Sequence, residues 1–303
     1  MFKQILAVLS AVAVLSVWSQ ATAAQPSPQQ VAEQARLEGI VSRLRPQTGR
    51  ISISAADATL AVGDQYYFLD AADSRKVLTD LWGNPPSSVD GVLGMVFPAG
   101  ASPLDDTWGA VVTYSADGYV SDQDAAEINP DTLLASLREG EDEDNRARQA
   151  EGFATVHLAG WAEPPVYDAQ KHNLIWAKVL KFGDMKDQTL NYDVRVLGRR
   201  GVLSLNIVAG IDDLATVGPA AAALMNTASF DAGSRYADYQ AGVDQQAAYG
   251  VAALITGGAA VAVAKKVGLL GVLLLVLKKG GVFLLAALGG GMAWLKKQFG
   301  GRS

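Results

Sequence analysis

The sequence predicts an α+β fold, antiparallel sheets with helices packed to one side, closed by a C-terminal transmembrane helical segment. Three observations carry that prediction. Four segments of period-two apolar alternation follow one another between Phe153 and Val208, the pattern of consecutive antiparallel strands. Helical patterns flank these strands and do not alternate with them, which is the arrangement of an α+β fold. The last acidic residue is Asp244, after which a long apolar stretch carries seven Lys and Arg side chains.

From the N-terminus, residues 1–24 read as a secretory signal: Lys3 gives the basic n-region, Ile5 to Trp18 the apolar h-region, and Ala21-Thr22-Ala23 a small-residue cleavage site. That h-region is shorter than the roughly 20 residues of a spanning helix, so cleavage after Ala23 or Ala24 is expected. Residues 25–49 form a polar N-terminal lead-in. The exported α+β domain is expected over 50–247, with sub-blocks at 50–127 and 151–230. In the first block Ile51 to Ser54, Ala58 to Val62, Gln65 to Leu69, Gly91 to Phe97 and Trp108 to Ser115 are short β-rich segments. Ala71 to Trp82, apolar at Val77, Leu78, Leu81 and Trp82 and stopped by Gly83-Asn84-Pro85-Pro86, reads as a helix on that sheet. Asp131 to Ala150 is helical in pattern, and its Glu139, Glu141, Asp142, Glu143 and Asp144 read as a solvated face.

The second block holds Phe153 to Trp161, Leu174 to Phe182, Leu190 to Leu197 and Val202 to Val208 as strands, then a helix from about Asp212 to Met225. The turn Gly198-Arg199-Arg200-Gly201 pairs Leu197 with Val202. Arg195 then faces Ser204 and Asp193 faces Asn206 on one side, while Tyr192, Val194, Val196, Leu203, Leu205 and Ile207 fill the other.

The membrane anchor is expected over 250–295, with a basic tail at 296–303. Three apolar runs are separated by Lys265/Lys266 and Lys278/Lys279, and none alone comfortably crosses ~30 Å of hydrocarbon. Merging 267–295 places a Lys pair mid-span at a cost of about 5–7 kcal/mol, against about 0.3–0.6 kcal/mol returned by each of its Leu, Val and Phe residues. Lysine snorkelling or a break at Gly280-Gly281 favours insertion, a re-entrant hairpin is the alternative, and the number of crossings stays open. The basic end inside and the domain outside satisfy the positive-inside rule.

The chain has 303 residues and a net charge of -6, and its basic residues are concentrated in the tail. A nucleic-acid binder would carry clustered Lys and Arg on its folded part. The absence of cysteine excludes disulfides, thiol nucleophiles and Cys-ligated metals, and two histidines leave little material for a histidine relay. No residue pattern calls for a cofactor.

The segments Gly160-Trp161-Ala162-Glu163-Pro164-Pro165, Leu190 to Gly201, and Asp117-Gly118-Tyr119-Val120-Ser121-Asp122 resemble a bacterial family of predicted membrane-anchored proteins catalogued only as a domain of unknown function. The similarity extends from Leu81-Trp82-Gly83-Asn84-Pro85-Pro86, through Gly94-Met95-Val96-Phe97-Pro98, to Arg235-Tyr236-Ala237-Asp238 and Ala248-Tyr249-Gly250. The resemblance implies a membrane-anchored exported domain and supplies no catalytic residue.

Two constellations are candidates for chemistry. Aligned to a calcium loop on Gly118, the segment Thr113 to Asp124 offers Asp117, Ser121 and Asp124, but Thr113 and Ser115 replace two carboxylates; an Asp-Gly turn with a helix N-cap at Ser121 reads better. Glu163, Asp168 and His172, with Asn191, Asp193, Arg195, Ser204 and Asn206, form a candidate binding surface: a presented turn beside a polar sheet face. Arg199 and Arg200 form a basic tip suited to anionic headgroups or a partner. The function expected is non-enzymatic binding or scaffolding in the cell envelope, at the cytoplasmic membrane, with the lipid bilayer and an envelope protein as partners. The rival is an envelope hydrolase or other enzyme using Glu163, His172, Asp193 and Arg195, which requires Glu163 or His172 within hydrogen-bond reach of Asp193 or Arg195.

Overall fold

The computed structural model describes residues 27–150, 152–185 and 188–256. The signal expected over 1–24, the 296–303 tail and all but the first residues of the 250–295 anchor lie outside them. Among the described residues, no helix is long and apolar enough to cross a membrane.

Within the lead-in, helix α1 (Pro28–Val41) starts on a capping box in which the Ser27 hydroxyl accepts from the Gln30 amide and the Gln30 side chain accepts from the Ser27 amide. Pro28 stands where a missing amide hydrogen is harmless, and Leu37 and Ile40 bury the helix on the domain. The segment is therefore ordered structure and not a polar linker.

Strand β1 (Gln47–Ile53) pairs with β2 (Ala58–Asp70), which merges two expected short strands into one. Asp70 caps α2 (Ala71–Lys76), which runs on as a π-helical turn to Leu81. Strands β3 (Val92–Pro98), β4 (Gly109–Ser115) and the short β5 (Tyr119–Ser121) follow. The expected single helix over 131–150 is two, α3 (Pro130–Glu139) and α4 (Glu141–Ala150), broken at Gly140. Then come β6 (Val156–Asp168), β7 (Asn173–Phe182), β8 (Gln188–Leu197), β9 (Val202–Gly210), α5 (Leu214–Met225), β10 (Ala228–Phe230), β11 (Gln246–Gly250) and α6 (Val251–Ile255).

The large sheet runs β1-β2-β3-β4-β9-β8-β7-β6, with β10 beside β2, and its described pairs are antiparallel. Pairing of β4 with β9, from Gly109↔Val208 to Ser115↔Val202, joins strands from both sub-blocks in one sheet. The β8–β9 register is the expected one: Leu197↔Val202, Arg195↔Ser204 and Asp193↔Asn206. A separate small sheet pairs β11 with β5 in parallel.

The helices do not share one side. Val217, Ala221 and Leu224 of α5 pack with Val112, Val194, Leu205 and Ile207, whereas Val77 and Leu78 pack on the opposite face with Met95, Phe97, Val111 and Val208. The cause is visible in β3, β4 and β9, whose consecutive residues are buried: a sheet apolar on both faces needs cover on both.

Leu205 is fully buried and Val166 is 64 % exposed on β6. Leu205→Ala is expected to lower unfolding stability by about 2–5 kcal/mol in urea titration, and Val166→Ala to stay within about 0.5 kcal/mol of the parent.

Candidate functional site: a buried polar face and a docked entry to the apolar segment

Asn191, Asp193, Arg195, Ser204 and Asn206 do converge, but inward. Asn191, Asp193, Ser204 and Asn206 are each at most 7 % exposed, so the expected presented face is a buried network. The Asn191 and Asn206 amides exchange two hydrogen bonds of 2.9 and 3.0 Å across β8–β9. Asn206 Nδ2 also donates to Asp193 Oδ1 at 2.8 Å, where Arg195 Nη2 approaches to 2.9 Å. Lys178 Nζ lies 3.2 Å from Asp193 Oδ2 and pairs with it, and the buried Trp176 Nε1 lacks a hydrogen-bond partner among the described residues. The Arg195 guanidinium sits 5.2 Å over the Trp176 ring. Burial pushes the Asp193 carboxyl up, but Lys178, Arg195 and the Asn206 amide outweigh it and hold the group below its ordinary value of 3.8. A carboxylate clamped between two cations is suited to holding strands together and poorly suited to moving a proton.

Glu163 lies elsewhere. It is inside β6, not in a turn: Pro164 and Pro165 sit within the strand, at the sheet edge, where the β6–β7 register shifts. Its Oε2 accepts from the Tyr192 hydroxyl at 2.7 Å, on the face opposite Asp193. Burial, and then the Glu163 carboxylate, push the Tyr192 phenol well above its ordinary range. Asp168 closes the β6–β7 turn by accepting the Gln170 and Lys171 amides. His172 has φ of 52°, a left-handed conformation uncommon outside glycine. Its ring stacks on Tyr236 at 4.1 Å, with Nδ1 3.1 Å from the Tyr167 hydroxyl and 3.5 Å from Asp122. No hydrogen bond or ion pair found for Glu163 or His172 reaches Asp193 or Arg195 among the described residues, so the enzyme geometry required above is not assembled.

The basic tip is also committed. Arg199 makes a bidentate pair with Asp244 at 2.8 Å on both arms and donates to the Gly233 carbonyl, while Arg200 Nη2 reaches Asp57 and the Ser234 hydroxyl at 2.8 Å. Both arginines therefore hold the 231–244 segment against the hairpin and do not form a free cationic patch. The calcium-loop residues diverge. Asp117 accepts from the Ser115 and Tyr249 hydroxyls, Ser121 Oγ accepts only weakly from the Gln123 amide, and Asp124 accepts the amides of Val251 and Ala252 at 2.9 and 3.2 Å.

Those last contacts define a feature that sequence reasoning missed: the chain enters its apolar segment docked on the domain. Strand β11 pairs with β5, Tyr249 is tied to Asp117, and Asp124 caps α6. Val251, Leu254 and Ile255 then bury against Leu174, Trp176, Leu197, Val202 and Tyr236. Two glycines make room. Gly118 has φ of +98°, and a Cβ there would lie 2.6 Å from the Gln245 carbonyl; at Gly250 it would fall on the Asp124 carboxylate. Tyr239, Tyr119, Tyr236 and His172 form a continuous column with centroid spacings of 3.8, 4.5 and 4.1 Å that fixes the approach to β11. The signals in the sequence were Gly250 at the start of an apolar run and an acid at 124, with nothing local to connect them.

A family model described as "Protein of unknown function (DUF2167)" matches residues 45–289, from just before β1 to beyond α6. No curated protein matches the chain. Among solved structures, the solution structure of cyanobacterial PsbP (CyanoP) from Synechocystis sp. PCC 6803 is similar at 10 % identity and a TM-score of 0.36, covering 62 % of this chain and 92 % of that one.

Asp193→Asn leaves Lys178 and Arg195 facing a neutral group, so stability at pH 7 should drop by about 3–5 kcal/mol. Because the native carboxyl titrates below 3.8, the stabilisation is present above that value and lost as pH falls through the lower one. The gap between the urea midpoints of the two proteins should therefore narrow as pH falls below the ordinary aspartate value of 3.8; a gap independent of pH would contradict the assignment.

Proposed function

The chain belongs to that family, and on this premise we propose that it is a non-enzymatic module of the cell envelope, which holds an α+β domain in a fixed pose on the outer side of the cytoplasmic membrane. One observation carries the reading: the junction to the apolar segment is built into the domain as β11 and α6, capped by Asp124 and buried at Val251, Leu254 and Ile255. A simple tether needs none of these contacts. The apolar, acid-free sequence beyond residue 256, with its paired lysines, supports insertion into a bilayer, and the signal-like first 24 residues support export. The commitment of Glu163 to Tyr192, of His172 to Tyr167 and Asp122, and of Asp193 and Arg195 to each other supports a binding or scaffolding role over catalysis.

Removing 257–303 is expected to release the protein from the membrane fraction, and an unchanged fraction overturns the anchor. In full-length protein in vesicles, a broad-specificity protease should spare residues 246–256. Asp124→Ala removes a helix cap of about 0.5–2 kcal/mol and should speed cleavage there about 2- to 30-fold. Equal cleavage of both proteins would show that the junction is a loose tether.

A further inference from the structure

Period-two alternation puts Trp176 and Lys178 of β7, Asp193 and Arg195 of β8, and Ser204 and Asn206 of β9 on one face of the large sheet. The register sets Asp193 between Trp176 and Asn206, with Arg195 across from Ser204. The hydrogen-bonding chemistry of this strip is one-sided. A guanidinium carries five N–H donors, an ammonium three and an indole one, and none of these groups accepts. Against them stand the two oxygens of Asp193, and Oδ1 already accepts from Asn206 Nδ2 at 2.8 Å. Arg195 Nη2 reaches that oxygen at 2.9 Å and Lys178 Nζ reaches the other at 3.2 Å. One carboxylate therefore faces two cations, and the strip keeps an excess of one positive charge.

Two further donors stand where water has little access. Trp176 is 1 % exposed, and its Nε1 has no hydrogen-bond partner among the described residues. Ser204 is 7 % exposed, and no hydrogen bond of its hydroxyl is found among the described residues. A buried donor without an acceptor is costly, and folded proteins keep few of them. The Arg195 guanidinium carbon lies 5.2 Å over the Trp176 ring, which brings the cation and the unpartnered indole N–H together. A solute can reach this place, because the Arg195 and Lys178 side chains are 21 % and 16 % exposed. Asp117 does not supply the missing acceptor: it accepts from the Ser115 and Tyr249 hydroxyls and forms no ion pair with Arg195 among the described residues.

We propose that this strip binds a small, singly charged oxyanion of the phosphate type, held by Arg195, Lys178, Trp176 Nε1 and the Ser204 hydroxyl. The class of ligand follows from the donors. Arginine and lysine together are the side chains that recognise phosphate through charge-assisted hydrogen bonds. One negative charge neutralises the strip, and donors arriving from three strands suit a tetrahedral group with several oxygens better than a planar carboxylate. Asp193 remains ionised and orders the two cations around it. A phosphodiester headgroup and free phosphate share this chemistry. The oxyanion site is independent of the membrane reading, which bears only on the source of the anion.

The test follows the Trp176 indole N–H, assigned by its loss in Trp176→Phe, in proton–nitrogen spectra of the full-length protein in an uncharged detergent. Inorganic phosphate, added at constant ionic strength, should move this resonance to a saturating limit. Lys178→Gln and Ser204→Ala should each weaken the apparent affinity about tenfold, the effect of losing one hydrogen bond to a charged group. Should Lys178→Gln not fold, Ser204→Ala, which keeps both ion pairs, decides. Nanodiscs of phosphatidylglycerol in phosphate-free buffer separate the two sources. The bound position reached there without added phosphate assigns the site to a lipid headgroup, and a position reached only on adding phosphate assigns it to a free oxyanion. A resonance that moves in neither medium, that moves equally with chloride, or that titrates alike in the parent and both variants overturns the proposal.

Discussion

The carboxylate of Asp124 accepts the first two amides of α6, and the route of the chain out of the domain depends on that cap. The first amides of a helix have no partner within it, and an acid in this position both satisfies them and complements the helix dipole. The cap works because its surroundings permit it. Gly250 leaves space for the carboxylate, Gly118 lets the 245–247 backbone approach β5, and Tyr249 is tied to Asp117. Val251, Leu254 and Ile255 are then delivered to an apolar recess formed by β7, β8 and β9.

That recess adjoins the buried polar network, and the two are electrostatically connected. Burial and the Asp117 carboxylate push the Tyr249 phenol up, and Arg195 opposes them. Arg195 itself lies on Trp176, which lines the recess, and pairs with Asp193. A lone carboxylate in this position would be strongly destabilising, and two cations with an amide donor offset its desolvation. The polar strip therefore separates two apolar clusters on one face of the sheet while binding β7, β8 and β9 in a single register, since a one-residue slip would carry Asp193 into the apolar face opposite.

Much of this fold was legible in the sequence, for local reasons. Period-two alternation placed β6 to β9, and the four-residue Gly198–Gly201 turn determined the β8–β9 register to the residue. The merging of two strands into β2, the break at Gly140 and the capping box at Ser27 were less visible because each competes with an equally good local alternative. The site was harder to read. Turn register and strand alternation showed that Asp193, Arg195 and Asn206 share a face, but not that the face is covered, because burial depends on elements distant in sequence. The pairs Asp124–Val251, Asp117–Tyr249 and Arg199–Asp244 span long stretches of chain and leave no periodic trace. Residues that looked available for binding were for that reason already bound to the domain itself.

The central claim is that the domain and the entry to its apolar segment form one rigid unit, and distances across that junction test it most directly. The chain has no cysteine, so spin labels on Lys181→Cys in β7 and Ala248→Cys in β11, both exposed positions, report without interference in full-length protein in vesicles. A docked junction predicts a single narrow distance distribution that broadens when Asp124 is replaced by alanine. A distribution already broad in the parent protein would contradict the account.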